Sequence, residues 1–193
     1  MKLTITMQVS VDGVMQANGP SEEDRRAGFE RDGWAIGHFD EESGAFVEQV
    51  YQRADAFLFG RRTFDIFAGY WGVMAPGSGP IADAMNSRPK YVASNTLTDP
   101  GWAETTVLSG DLAAAIRELK VHGSGRLVRR LLDNRLVDEI TLLVCPVVVG
   151  QGTRLFPEDG PDMALELVES RAFPKGITLQ VYRPAGRPHY ATG

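Results

Sequence analysis

Hydrophobic and polar residues alternate near the start of the chain, where Leu3, Ile5, Met7 and Val9 are interleaved with Thr4, Thr6 and Gln8. A period of two marks a strand with one buried face, and Asp12-Gly13 stops it. Residues 16–43 lose periodicity, with Trp34, Ile36 and Phe39 scattered among polar positions, and irregular stretches of this length often carry function. From Gly44 the spacing changes. Phe46, Val50, Tyr51 and Ala54 share one helical face, and Ala56-Phe57-Leu58-Phe59 then reads as a buried strand. Gly60-Arg61-Arg62-Thr63 breaks that strand, Phe64 to Tyr70 begins another helix, and the glycine- and proline-rich run from Gly72 to Pro80 reads as a loop.

Tyr91-Val92-Ala93 and Thr106-Val107-Leu108 are short strand candidates. Asp111 is a good N-cap for a helix whose apolar residues Leu112, Ala115, Ile116 and Leu119 fall at i, i+3, i+4 and i+7. Lys120 then abuts Val121-His122 directly, which leaves little room to reverse into a parallel strand and predicts a truncated strand or an omitted loop. Gly123-Ser124-Gly125 opens a second helix carrying Leu127, Val128, Leu131 and Leu132, and Glu139 to Val149 forms a long apolar strand. Leu165 to Phe173 and Ile177 to Tyr182, joined by Pro174-Lys175-Gly176, read as an antiparallel hairpin. Helices alternate with strands first and strands pair directly afterwards. The expected fold is therefore α/β, a three-layer αβα arrangement with a mixed, mostly parallel sheet and an antiparallel C-terminal hairpin.

With 193 residues and 43% hydrophobic content, one domain over residues 1–183 is expected, followed by a polar tail, 184–193. A net charge of -5, from 20 basic and 25 acidic residues, argues against a nucleic-acid partner. The lone Cys145 sits inside the apolar run Leu142–Val149, the place of a small buried hydrophobe rather than a nucleophile. His38, His122 and His189 show no metal-ligand spacing. No apolar stretch approaches the roughly 18 residues of a membrane span, and Met1 to Val9 does not resemble a signal peptide. A cytoplasmic protein is expected.

Two motifs carry candidate chemistry. In Val121-His122-Gly123-Ser124-Gly125-Arg126-Leu127 the glycines let the backbone approach a diphosphate and the helix N-terminus favours its charge, although a plain tight turn would look the same. Phe59-Gly60-Arg61-Arg62-Thr63 places two guanidiniums and a hydroxyl after a buried strand, where α/β proteins set their ligand loops; a solvated arginine pair beside an N-cap is the plainer reading.

Taken in order, Ser10-Val11-Asp12-Gly13, Gly60-Arg61-Arg62-Thr63-Phe64, Val92-Ala93-Ser94, Gly123-Ser124-Gly125-Arg126-Leu127 and the run from Pro146 to Phe156 resemble the dihydrofolate reductase superfamily over essentially the whole chain. Leu136-Val137-Asp138-Glu139-Ile140 and Pro146-Val147-Val148-Val149-Gly150-Gln151-Gly152 resemble its riboflavin-pathway reductase branch. The deaminase domain often fused to that reductase is not expected here. The resemblance implies an NADPH-dependent reductase acting on a phosphoribosylamino-pyrimidine, with no membrane partner, and a homodimer. It implies Arg61 as the 2'-phosphate contact, Gly60 and Thr63 beside the diphosphate, Ser94 near the adenosine, and Gly123, Ser124, Gly125, Arg126 and Leu127 as the diphosphate turn. Gly13 and Asp12 would approach the nicotinamide and substrate.

The substrate side stays open. Asp12 and Asp40 are candidate proton donors, with Glu41 and Trp34 as substrate contacts, Trp34 by stacking on a flat heterocycle. Against this, Asp40 also suits a helix cap, Glu41 and Glu42 complement a helix dipole, and Trp34 suits a small satellite core. A substrate phosphate predicts a basic pocket using Arg25, Arg26 or Arg31. A dihydrofolate or pterin reductase, or a non-catalytic dinucleotide-binding protein, are the alternatives.

Overall fold

A computed structural model of the chain describes residues 2–19, 24–112, 114–115, 125–156, 158–160 and 162–191. Two compact units divide it, one of Met1–Ile5 and Glu41–Leu136, the other of Thr6–Asp40 and Val137–Gly193.

The first unit holds a parallel three-stranded sheet in the order β2-β3-β4, formed by Phe57–Gly60, Lys90–Ala93 and Thr105–Leu108. Helix α1, Glu41–Arg53, places Glu41 and Glu42 in its first turn and Arg53 in its last, as the helix dipole favours. Its C-terminal carbonyls are closed by Arg88, whose guanidinium donates to the oxygens of Tyr51 and Ala54. Helix α2, Arg61–Tyr70, follows β2 without a linker. Helix α3, Pro80–Ser87, was not expected: Pro80 ends the loop reading but stands at the first helical position, where its fixed φ and missing N–H cost nothing. Helix α4, Gly125–Asp133, packs on β2 and buries Leu127 and Leu131.

The aromatic core of this unit joins Phe57, Phe59, Phe64, Met85, Val92 and Trp102. Phe59 stacks on Trp102 at 6.3 Å between centroids and meets Phe67 edge-on at 5.5 Å. Lys90 is fully buried here. Its Nζ donates to the carbonyls of Met85 and Arg88, each at 2.8 Å, and lies 4.9 Å from the Trp102 ring centroid. The lysine thus satisfies carbonyls at and beyond the end of α3.

The other sheet, whose strands belong to the second unit except for Thr4 and Ile5 of β1, orders four strands β1-β5-β7-β6, from Thr4–Ser10, Glu139–Cys145, Thr178–Pro184 and Leu165–Ala172. β7 pairs antiparallel with both β5 and β6, and Phe173 to Ile177 closes the expected hairpin. β5 stops at Cys145, short of the expected Val149, because Pro146 has no N–H for a ladder and the amides of Val149 and Gly150 are taken elsewhere. Cys145 is buried, which pushes its thiol up to about 11. A satellite core of Val14, Ala17, Phe29 and Val149 lies under the loops, with Trp34 packed against it.

The junction at Lys120 and Val121 lies outside the described residues, and so do Gly123, Ser124 and His122. Among the described residues no helix is long and apolar enough to cross a membrane.

Candidate functional site

In the first unit, the carboxyl ends of the parallel strands converge. Gly60, Ala93 and Leu108 are register partners across β2, β3 and β4, so Arg61, which starts α2, and Ser94 and Ser109, which open the loops after β3 and β4, follow the strands along one edge. Ligands of open α/β sheets bind outside such carboxyl edges. Gly60 is the N-cap of α2 and supplies no side-chain cap to its first amides, and no acidic residue lies in the first turn. Arg61 and Arg62 stand there instead, cations at the positive end of a helix dipole, where they are intrinsically unfavourable. Arg61 Nε sits 2.9 Å from both carboxylate oxygens of Asp65, one turn on. The pair uses Nε, and among the described residues the two terminal amino groups make no hydrogen bond. Thr63 is half-buried in the same turn.

Ser94 Oγ accepts the amides of Thr96 and Leu97 at 3.2 and 3.1 Å, and its own amide donates to Leu108. Asn95 accepts the amide of Gly110 at 3.0 Å, fastening the loops after β3 and β4 together. Four expected cofactor residues, Gly60, Arg61, Thr63 and Ser94, therefore share this edge. Of the expected diphosphate turn, Gly125 and Arg126 open α4, and Leu127 is buried.

The second unit assembles a different cluster around Asp12. Its Oδ1 accepts from the Ser10 hydroxyl at 2.6 Å and the Val149 amide at 2.9 Å, and Oδ2 accepts from the Gly150 amide at 2.8 Å. Arg154 closes the cluster, donating from Nε to the Asp12 carbonyl at 2.9 Å with Nη2 3.6 Å from the carboxylate. Partial burial raises the Asp12 pKa, but the hydrogen bonds from Ser10, Val149, Gly150 and its own amide outweigh that and hold it at about 2. A carboxylate held ionised in this way cannot deliver a proton at neutral pH, so the geometry does not fit Asp12 as a proton donor. It fastens the first loop to residues 147–155.

Gly13 makes the turn possible with φ of 78°, donating to the Ser10 carbonyl and accepting from the Leu155 amide. Gln16 extends the fastening: its oxygen accepts the amide and hydroxyl of Thr153, both at 3.0 Å, and its nitrogen donates to the carbonyls of Asp24 and Arg26. Trp34 donates Nε1 to the Gln16 carbonyl at 2.8 Å and lays its ring on the satellite core. Asp40 Oδ2 accepts the Lys175 amide at 2.8 Å, while Glu41 is exposed.

The three loop arginines all have partners. Arg26 is gripped by Asp24 at 2.6 Å, Arg25 lies 3.8 Å from Asp32, and Arg31 donates to the Val149 carbonyl. Gln16, Thr153 and Arg154 were missed from the sequence as members of the cluster. Their only signals were a polar position in an otherwise irregular loop and a place in the glycine-rich run after β5.

Comparison with known proteins identifies the fold and the family. A 2.12 Å crystal structure of a candidate riboflavin biosynthesis protein from Shewanella sp. PV-4 superposes with a TM-score of 0.73 at 21% identity, covering 96% of this chain and 99% of that one. A pyrimidine reductase-like protein of Corynebacterium diphtheriae gives 0.62 at 15% identity, with 95% and 92% covered. RibD of Acinetobacter baumannii gives 0.66 at 13% identity; this chain spans only 58% of its length. In sequence, the YyaP protein of Bacillus subtilis strain 168, described as uncharacterized, is 25% identical over 196 residues, 94% of each chain. The fold is thus the α/β, dihydrofolate reductase-like one, mixing parallel and antiparallel strands. Residues 1–179 match the RibD C-terminal domain, and the chain belongs to that family.

Proposed function

We propose that this protein is an NADPH-dependent reductase of the riboflavin-pathway type, acting on a ribosylamino-pyrimidine or a related heterocycle. Because the family match covers residues 1–179, the two units are proposed to act as one reductase domain. The observation that carries the reading is the start of α2: an uncapped helix N-terminus at the carboxyl end of a parallel strand, bearing Arg61 and Arg62 where the dipole disfavours them. An anionic ligand turns both features from cost to gain. A phosphate-bearing dinucleotide fits this edge, since Arg61 keeps its terminal amino groups for a ribose phosphate and the α2 amides suit a diphosphate oxygen.

When bound, NADPH supplies the hydride. The chain supplies position and shielding. Gly60, Arg61, Thr63 and Ser94 would hold the dinucleotide, helped by Gly125 and Arg126 at the start of α4. Gly13 would approach the nicotinamide, and Asp12 would keep that loop fixed. Trp34 has its Nε1 committed to Gln16, so only its ring face would serve a flat substrate. Asp40 remains the candidate proton donor, with Glu41 a substrate contact beside it.

The test is NADPH oxidation in the presence of a phosphoribosylamino-pyrimidine, dihydrofolate and a simple pterin in turn. Turnover of the pyrimidine supports the proposal. Turnover of dihydrofolate or the pterin alone would replace it with a pterin reductase, and dinucleotide binding without any turnover would leave a binding protein.

A further inference from the structure

In the first unit a cavity of about 520 Å³ opens beside α3, which packs on α1. Asp83, Ala84 and Ser87 line it along one side of α3, Arg88 follows where the helix ends, and Gln52 of α1 and Gly77 complete the wall. Its size suits a small molecule. None of the residues proposed above for the dinucleotide or the substrate lines it. Arg88 stands two residues before Lys90, the first residue of β3, and so lies at the amino end of the parallel sheet. Six residues of chain, extended through β3 over roughly 20 Å, separate it from Ser94 at the carboxyl edge.

Two side chains give the cavity its chemistry. The half-buried Arg88 is held through Nη1, which donates to the carbonyls of Tyr51 and Ala54. Among the described residues its Nε and Nη2 make no hydrogen bond, and no carboxylate pairs with its charge. Those two nitrogens form the guanidinium edge that takes a carboxylate through two parallel bonds. Asp83 is anchored in a similar way: Oδ1 accepts the Gly77 amide at 2.7 Å, and Oδ2 accepts no hydrogen bond among the described residues. The two charged residues do not pair with each other, being five positions apart, about 7.5 Å along a helix. Ala84 and Ser87, between them in sequence, are short and leave the space open. A fixed cation and a fixed anion, each with an unused edge, are complementary to a molecule that carries the opposite pair.

We infer that this cavity binds a small zwitterion, with its carboxylate on the Nε–Nη2 edge of Arg88 and its ammonium on Oδ2 of Asp83. A dipeptide or an ω-amino acid presents its charges in this way. An α-amino acid carries them on neighbouring carbons and spans too little of the gap. The site needs no dinucleotide, so it stands or falls independently of the reductase reading.

Glycylglycine is the probe, titrated into the isotope-labelled protein and followed by backbone amide shifts in NMR. N-acetylglycylglycine, which keeps the carboxylate and loses the ammonium, and glycine are titrated in parallel. Saturable shifts centred on Gly77 and Ser87 are expected with glycylglycine, and binding about 10-fold weaker with the other two, since each forfeits one charged contact. Asp83→Asn keeps an oxygen for the Gly77 amide and should lower glycylglycine to the level of its acetylated form. Arg88→Gln removes the carboxylate edge and should abolish binding of both. If circular dichroism shows Arg88→Gln to be unfolded, Arg88→Lys replaces it, since it keeps a donor for the α1 carbonyls but lacks the two-nitrogen edge; a loss of about 10-fold is then expected. No saturable binding of glycylglycine to the wild type overturns the inference. So do shifts centred on Ser94, equal affinity for all three probes, or binding that the Asp83 and Arg88 variants leave unchanged.

Discussion

Replacing Asp12 by asparagine preserves the shape of the side chain and removes its charge. The carboxylate serves donors on both oxygens, the Ser10 hydroxyl and Val149 amide on one and the Gly150 amide on the other. Asparagine has one acceptor oxygen, so its NH2 must face a backbone N–H, donor against donor. An unpaired buried donor costs about 1–3 kcal/mol, and the remaining bonds lose their charge assistance. Val149 is buried and Gly150 exposed, so the amide turns its NH2 toward Gly150, where water takes over part of the loss. The expected destabilisation is about 2 kcal/mol at neutral pH, measured by urea unfolding. The pH dependence has a definite sign. The folded-state pKa, about 2, lies below the ordinary 3.8, so the carboxylate's contribution is complete above the ordinary value and fades as pH falls through about 2. The gap between wild type and D12N must narrow over that acid window. A loss under about 0.5 kcal/mol at neutral pH, or a gap that does not narrow in acid, would refute the fastening role.

Two further outcomes follow from packing and burial. Gly152 has φ of 101°, and a Cβ there would meet the Phe29 ring at 2.6 Å, so Gly152→Ala should cost about 3 kcal/mol or more; Gly13→Ala, with open space around it, should cost about 1, and equal losses in thermal melts would contradict the contrast. Burial lowers the Lys90 pKa, partly offset by Glu104, so the folded state binds this proton more weakly than the unfolded chain. The wild type should therefore gain stability relative to Lys90→Met as pH rises toward the ordinary lysine value of 10.5, and a constant difference across alkaline unfolding curves would count against it.

The sequence was most legible where one physical signal dominated. Alternation located β1, and the β6–β7 hairpin followed from alternating segments around Pro174-Lys175-Gly176. α3 was hidden because Gly77, Gly79 and Pro80 signal a loop, although proline also starts helices and Ile81, Ala84 and Met85 continue the helical spacing behind it. Arg61 stands out as a candidate because it follows a short apolar run, where the carboxyl ends of α/β strands open into ligand sites, whereas Ser94 is implied only by the family resemblance. The Asp12 cluster was not legible, since its partners Val149 and Gly150 lie far along the chain and backbone amides leave no mark in a sequence. Trp34 and Asp40 each admitted two roles, and the structure shows the hydrogen bond each makes: Trp34 to Gln16, Asp40 to Lys175.

The most direct test of the reductase account is thermal unfolding with NADPH and NADH in parallel, in the wild type and in Arg61→Ala. A ligand at about 100 times its Kd adds about 2.7 kcal/mol, a shift of roughly 5–10 °C for a chain of this size. The account predicts that NADPH stabilises the wild type more than NADH, and that Arg61→Ala brings the two to the same level. Equal stabilisation of the wild type by both cofactors, or an NADPH preference that survives the loss of Arg61, would contradict it.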